Sequence, residues 1–270
     1  ERKTLAICDN PQLNTQLVYG IFEDTKLDPW QKGTRTPTGF ISPVHECERL
    51  ITSHRLLQSQ YQVGPTMLLF PRTEELVEKV YHSIMKFSNT YMVNLTRGES
   101  VEALGELPDD AIVITFTGTV RPNVFEKLLS VKTTYPPVIE GANSVECCEL
   151  SGLPFLRGGR WISPEEEKVV LGYDEAQSIH SKASEFLSKQ DAPQSYSQSL
   201  ANYMLDSRDG KNKAYHAARQ AQYLARPDGM EVALSHLQYE FVKEAKVEMS
   251  KCCFWSTPSH QNSHFFKMRS

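Results

Sequence analysis

The sequence predicts an α/β fold: a parallel sheet in the middle of the chain, followed by a mainly helical C-terminal region. Three observations carry this. Apolar strand patterns alternate with helical ones between residues 64 and 160, which is the spacing of βαβ units. The strands are continuous apolar runs without alternation, as expected when both faces of a sheet are covered. From about residue 164 onward the periodic stretches are all helical.

Taken in order, "KTLAIC" (3–8) reads as a strand stopped by Asp9-Asn10-Pro11, and "QLNTQLVYGIFED" (12–24) has rough helical spacing. Residues 24–43 are rich in Thr, Pro and Gly and form a long loop, of the kind that often carries function. Residues 44–62 predict an amphipathic helix with Val44, Leu50, Ile51, Leu56 and Leu57 as its apolar stripe. "TMLLFP" (66–71) is a buried strand, and Thr73 followed by two glutamates starts a helix over 73–87. Further strands fall at 90–95, 111–117, 136–140 and 154–157. Two helices separate the later ones, 122–131 with proline at its start and 143–152 ending at glycine. Helical patterns then run through 163–190, 194–207, 211–226 and 228–251. The domain reading is an N-terminal segment (1–63), the α/β region (64–163), a helical region (164–250) and a tail (251–270).

Composition excludes several classes. Apolar residues are 40% and charged residues 23%, so the chain can build an ordinary globular core. A net charge of −4 provides no footprint for nucleic acid or an anionic membrane. No apolar run reaches the roughly 18 residues of a spanning helix. The six cysteines fall as two vicinal pairs, Cys147-Cys148 and Cys252-Cys253, and two singles, Cys8 and Cys47. That pattern is not a disulfide framework and points to reduced thiols in a cytoplasmic compartment. The chain begins at Glu1 without Met, as a processed chain or a fragment does.

In an open parallel sheet, ligands bind beyond the carboxyl ends of the strands. The loops expected there contribute Arg72; Thr96 and Arg97; Thr117, Gly118, Thr119 and Arg121; and Glu140, Gly141, Asn143 and Ser144. The stretch "VIEGANSVECCELSGLPFLRGG" (138–159) is the sharpest. Gly141 lets backbone approach a ligand, and Asn143 or Ser144 caps a helix whose free N–H groups suit a phosphate. Glu140 is placed to accept from ribose hydroxyls, although a solvated turn residue would read the same way. Other motifs weigh less. Cys147 and Cys148 near a helix start favour a thiolate but read more simply as packing. Cys252, Cys253, His260 and His264 lack the usual zinc spacing, so no metal is expected. His45-Glu46 at a helix start offers acid–base groups, with His45 the candidate catalytic residue. His180, His216 and His236 read as surface or packing residues, Trp30 and Trp161 as packing, and the sequon Asn94-Leu95-Thr96 as chance.

Glu140-Gly141, a small polar residue, a short helix with Glu146, then Gly152-x-Pro154 and an apolar strand resemble the donor-binding half of GT-B glycosyltransferases. "DDAIVITFTGT" resembles that family's preceding strand and loop, and Arg72 in "LLFPR" stands where such enzymes keep a phosphate contact. The resemblance covers roughly residues 64–160. It implies a Rossmann-like nucleotide-sugar-binding region, no cofactor, and 1–63 as a reduced or truncated acceptor-side region. It also implies that Arg72, Thr117, Gly118, Thr119, Arg121, Glu140, Gly141, Asn143 and Ser144 bind a nucleotide-sugar donor whose sugar passes to an acceptor the sequence does not identify. The alternative is a non-catalytic α/β module that docks a protein partner.

Overall fold

The computed structural model describes residues 10, 12–19, 43–71, 81, 84–130, 134–139, 142–158 and 169–226. The chain divides into a unit ending at Tyr223 and a second from Leu224 to Ser270. The elements below belong to the first, apart from Leu224 at the end of the last helix.

Six parallel strands form the frame: β1 (Asn14–Leu17), β2 (Thr66–Phe70), β3 (Thr90–Asn94), β4 (Ile112–Phe116), β5 (Val138–Ile139) and β6 (Leu156–Arg157). Four of them run β1-β2-β4-β3 side by side, and β5 pairs with β6. A bridge between Val18 and Val138 joins the two sets, and Tyr19 N–H donates to the Val138 carbonyl at 2.8 Å. The spatial order is therefore β3-β4-β2-β1-β5-β6. Registers are in step: Leu17 faces Leu69, Leu69 faces Thr115, and Thr115 faces Val93.

Helices cover both faces. Alternate strand residues Leu68, Phe70, Ile112, Ile114, Phe116, Val138 and Leu156 pack on α1 (Pro43–Tyr61), Ile84, α4 (Asp174–Ser188) and α5 (Tyr196–Arg208). Their neighbours Leu17, Met67, Leu69, Val93, Val113 and Ile139 pack on α2 (Pro122–Ser130), α3 (Ala142–Ser151) and Val101. The last helix, α6 (Lys213–Leu224), lies against α3. Every residue of β2 and β4 is buried, which is why their sequences show no polar alternation. α4 and α5 join the same core as α1. Among the described residues no helix is long and apolar enough to cross a membrane.

Two expectations are corrected. Residues 14–17 are a strand, not a helix. Thr15, Gln16 and Leu17 are all buried, because β1 lies inside the sheet, and that position overrides a rough helical spacing. Of the helix expected over 163–190, residues 169–173 are not helical, with Gly172 at φ +83°, and the helix runs Asp174–Ser188; residues 163–168 lie outside the described residues. The expected strand 3–8, most of the helix 73–87 and the helix 228–251 lie outside the described residues.

Candidate functional site

The site is built from the order of the crossovers. The segments after β1 and β2 cross on the α1 face, and those after β3, β4 and β5 cross on the α2–α3 face. In the order β3-β4-β2-β1-β5-β6, neighbours with opposite crossovers occur twice, at β4/β2 and at β1/β5. Each is a topological switch point, where departing chains part and leave a crevice at the carboxyl edge. The two crevices flank the β2–β1 pair and lie about 10 Å apart at the usual interstrand spacing.

The β4/β2 crevice is edged by Thr117, half-buried, and Thr119 and Arg121, exposed. Gly118 is buried with φ +71°. A Cβ there would come within 2.8 Å of Thr96 Cγ2, so the loops leaving β3 and β4 are in direct contact. Thr117 Oγ1 donates to the Gly118 carbonyl at 3.1 Å. Asn94, the last residue of β3, caps the turn Leu95–Arg97: its Oδ1 accepts from Thr96 N at 3.0 Å and from Thr96 Oγ1 at 2.6 Å. Asn94 is buried, so its sequon offers no open acceptor.

The β1/β5 crevice is edged by Val18 and Tyr19 on one side and by the N-terminus of α3 on the other. Ser144, half-buried, stands in the first turn of α3. Tyr19 leans on Phe125 of α2, ring centroids 4.3 Å apart. On the opposite face, Glu46 in the first turn of α1 is buried against the end of β6: a Cβ on Gly158 would lie 2.5 Å from Glu46 Oε1 and 2.8 Å from Val138 Cγ1. Glycine at 158 leaves the room this carboxylate occupies. His45, beside it, is exposed and turns outward into a groove of about 390 Å³ with Glu48, Thr52, Phe87, Phe186 and Gln190.

The structure thus sets Thr117, Gly118, Thr119 and Arg121 just past β4, with Gly118 against Thr96, and Ser144 in the first turn of α3 beside the second crevice. It does not bring the two groups into one place, since β4 and β5 are three strand steps, about 14 Å, apart. Arg72, Glu140, Gly141 and the Asn143 side chain lie outside what the structure describes. So do Cys252, Cys253, His260, His264, His236, Trp30 and Trp161. Cys148 is buried, and desolvation pushes its thiol well above the ordinary range, which disfavours a thiolate nucleophile. Among the described residues no three His, Cys, Asp or Glu side chains are grouped to hold a metal ion.

His180 and His216, read from the sequence as surface or packing residues, are packed in the interior. His180, His216, Tyr203, Tyr215 and Arg219 form a buried array beside Phe155. Tyr203 Oη donates to the Phe155 carbonyl at 2.8 Å and meets His216 Nε2 at 2.7 Å. A hydroxyl has one proton, so His216 Nε2 is the donor of that pair. Arg219 joins the Glu149 carboxylate and, at 2.9 Å, Tyr215 Oη. A second array links Gln16 Nε2 to the Pro136 carbonyl at 2.7 Å and Gln16 Oε1 to His54 Nε2 at 2.6 Å. Gln16 beside the apolar pair Leu17-Val18 in "TQLV" was the sequence signal for this one; the first array had none. The chain matches no family model, no curated protein and no solved structure.

Proposed function

We propose that the chain binds a nucleotide sugar along the carboxyl edge of its sheet and transfers the sugar, as a glycosyltransferase with a Rossmann-like donor region of the GT-B type. The observation that supports this is the pair of switch-point crevices about 10 Å apart. Two crevices suit a ligand longer than a diphosphate. One end would lie among Thr96, Thr117, Gly118, Thr119 and Arg121. The diphosphate and sugar would lie toward α3, whose N-terminal N–H groups favour negative charge, with Glu140 and Gly141 leading into it. Arg72, two residues past the β2 end, and Arg121 would supply bidentate contacts to phosphate. His45 would serve as the base that takes a proton from the acceptor hydroxyl, and the groove outside α1 gives an acceptor a place to lie.

Titration calorimetry with uridine, guanosine, adenosine and thymidine diphosphate sugars tests the reading. One of them binds, Arg72→Ala weakens it about ten- to a hundredfold, and Glu140→Gln weakens the sugar nucleotide more than pyrophosphate. If the parent protein binds none of them, the reading is lost and the partner-docking module takes its place.

A further inference from the structure

The groove outside α1 is built from separate parts of the chain. His45, Glu48, Arg49 and Thr52 recur at helical spacing and share one outward stripe of α1. Phe87, half-buried just before β3, and Gln190 and Gln194, past the end of α4, complete the lining. The cavity is about 390 Å³, within the range of small-ligand sites. From His45 to Thr52 the helix rises about 10 Å, a span longer than one sugar ring. α1 leads directly into β2, so its last turn lies toward the amino edge of the sheet and its His45 end toward the carboxyl edge. The contact of Glu46 with Gly158, just past β6, agrees.

The charges of Glu48 and Arg49 are already matched. Glu48 is bonded to Lys86 at 2.6 Å. Arg49 is engaged by the carbonyls of Phe186, Lys189 and Gln190, at the negative end of α4. The carboxamides of Gln190 and Gln194 are exposed and make no hydrogen bond among the described residues. The Thr52 hydroxyl donates to the Glu48 carbonyl at 2.8 Å, which leaves its oxygen to accept. A carboxamide sets donors beside an acceptor and so suits hydroxyls, which are both at once. Phe87 adds apolar ring surface of the kind that meets the C–H face of a sugar. A peptide would want a sheet edge or an apolar stripe, and an anion would have to compete with the carbonyls that hold Arg49.

We propose that this groove binds a neutral oligosaccharide, laid along α1 with its reacting end at His45. The role of acceptor rests on the glycosyltransferase reading, to which the groove adds the acceptor's chemical class. The hydroxyl at that end gains the transferred sugar, its proton passes to His45, and the nucleoside diphosphate leaves.

The full chain is titrated with maltotetraose, cellotetraose and chitotetraose, and with tetragalacturonate as the charged counterpart, while the side-chain amide resonances of Gln190 and Gln194 are followed. One neutral tetrasaccharide moves both amides. Gln190→Ala and Gln194→Ala each weaken it about tenfold, the loss expected for one hydrogen bond, and melt like the parent because both side chains are exposed. Binding of none of the neutral sugars, binding that leaves both amides unmoved, or a preference for tetragalacturonate overturns the proposal. Nucleotide-sugar binding is read on the same sample. A parent that binds a nucleotide sugar and no tetrasaccharide overturns this proposal and leaves the glycosyltransferase reading standing. A parent that binds a tetrasaccharide in the groove and no nucleotide sugar supports the sugar site and overturns its acceptor role.

Discussion

His54 and His216 are held neutral by their surroundings. Burial lowers the pKa of His54 to about 3, and burial with His180 and Arg219 nearby lowers that of His216 to about 2. His180 is also pushed well below its ordinary value, by burial and then by Arg219 and Arg157. In the unfolded chain all three would titrate near 6.5. Between that value and the folded ones, the unfolded state binds more protons, so these groups favour folding above about pH 6.5. Their contribution is lost as pH falls below it, at about 1.4 kcal/mol per pH unit for each histidine. Urea midpoints taken from pH 7.5 to 4.5 should stay level to about 6.5 and then decline. His54→Gln, which can still donate to Gln16, should make the decline shallower; a level curve down to pH 5 would contradict the burial of the histidines. Thr115 makes the opposite point. Its Oγ1 is buried without a partner, between Leu69 and Val93 in register. Thr115→Val exchanges that hydroxyl for a methyl of the same shape and should raise stability by about 1 kcal/mol.

Among the elements, α4 depends on a residue far from it in sequence. Arg49 of α1 donates to the carbonyls of Phe186 and Lys189 at 2.5 and 2.7 Å through one nitrogen, and to that of Gln190 at 3.1 Å through another. Its guanidinium also covers the Phe186 ring at 4.7 Å. A helix end leaves its last carbonyls without partners, and α4 has no basic residue of its own in the last turn. Arg49→Met should cost about 2 kcal/mol. Arg49→Lys should recover less than half, because an ammonium lacks the planar fork that reaches three carbonyls. Both are read by chemical denaturation with α4 followed by amide exchange.

For the molecule as a whole, α6 is tied to the sheet region through α3. Arg219 pairs with Glu149, Gln220 Nε2 donates to the Leu150 carbonyl, and Tyr223 Oη donates to Glu146. Arg157 of β6 approaches Glu149 Oε1 to 3.7 Å as a second cation. Buried charges stripped of their partners are costly. Glu149→Gln takes the carboxylate from buried Arg219 and half-buried Arg157 and should cost about 3–5 kcal/mol. Arg219→Met leaves Glu149 with Arg157 and should cost less, and the order of the two in calorimetric melting is the test. Amide exchange should rise first in α6, with β4 still protected.

Strands β2, β3 and β4, helices α1, α2 and α3 and the parallel class were legible because local signals agreed: unbroken apolar runs, Pro122 at a helix start, Gly152 after a helix end. β1 was not. Its four residues carry no period long enough to separate strand from helix, and only pairing with β2 decides. At the candidate site, the glycine and hydroxyl content of "LTRG", "TGT" and "EGANS" marked them in the sequence as loops at the carboxyl edge, and the described residues of the first two follow β3 and β4. Their separation into two crevices was not, since strand order is set by long-range pairing. The sequence by itself determined the chemistry each loop can offer and the α/β class. Only the tertiary structure decided that Asn94 keeps a buried donor, that Glu46 lies against Gly158, and that His180 and His216 are interior. Burial is a property of what packs against a residue, and those neighbours lie dozens of positions away along the chain.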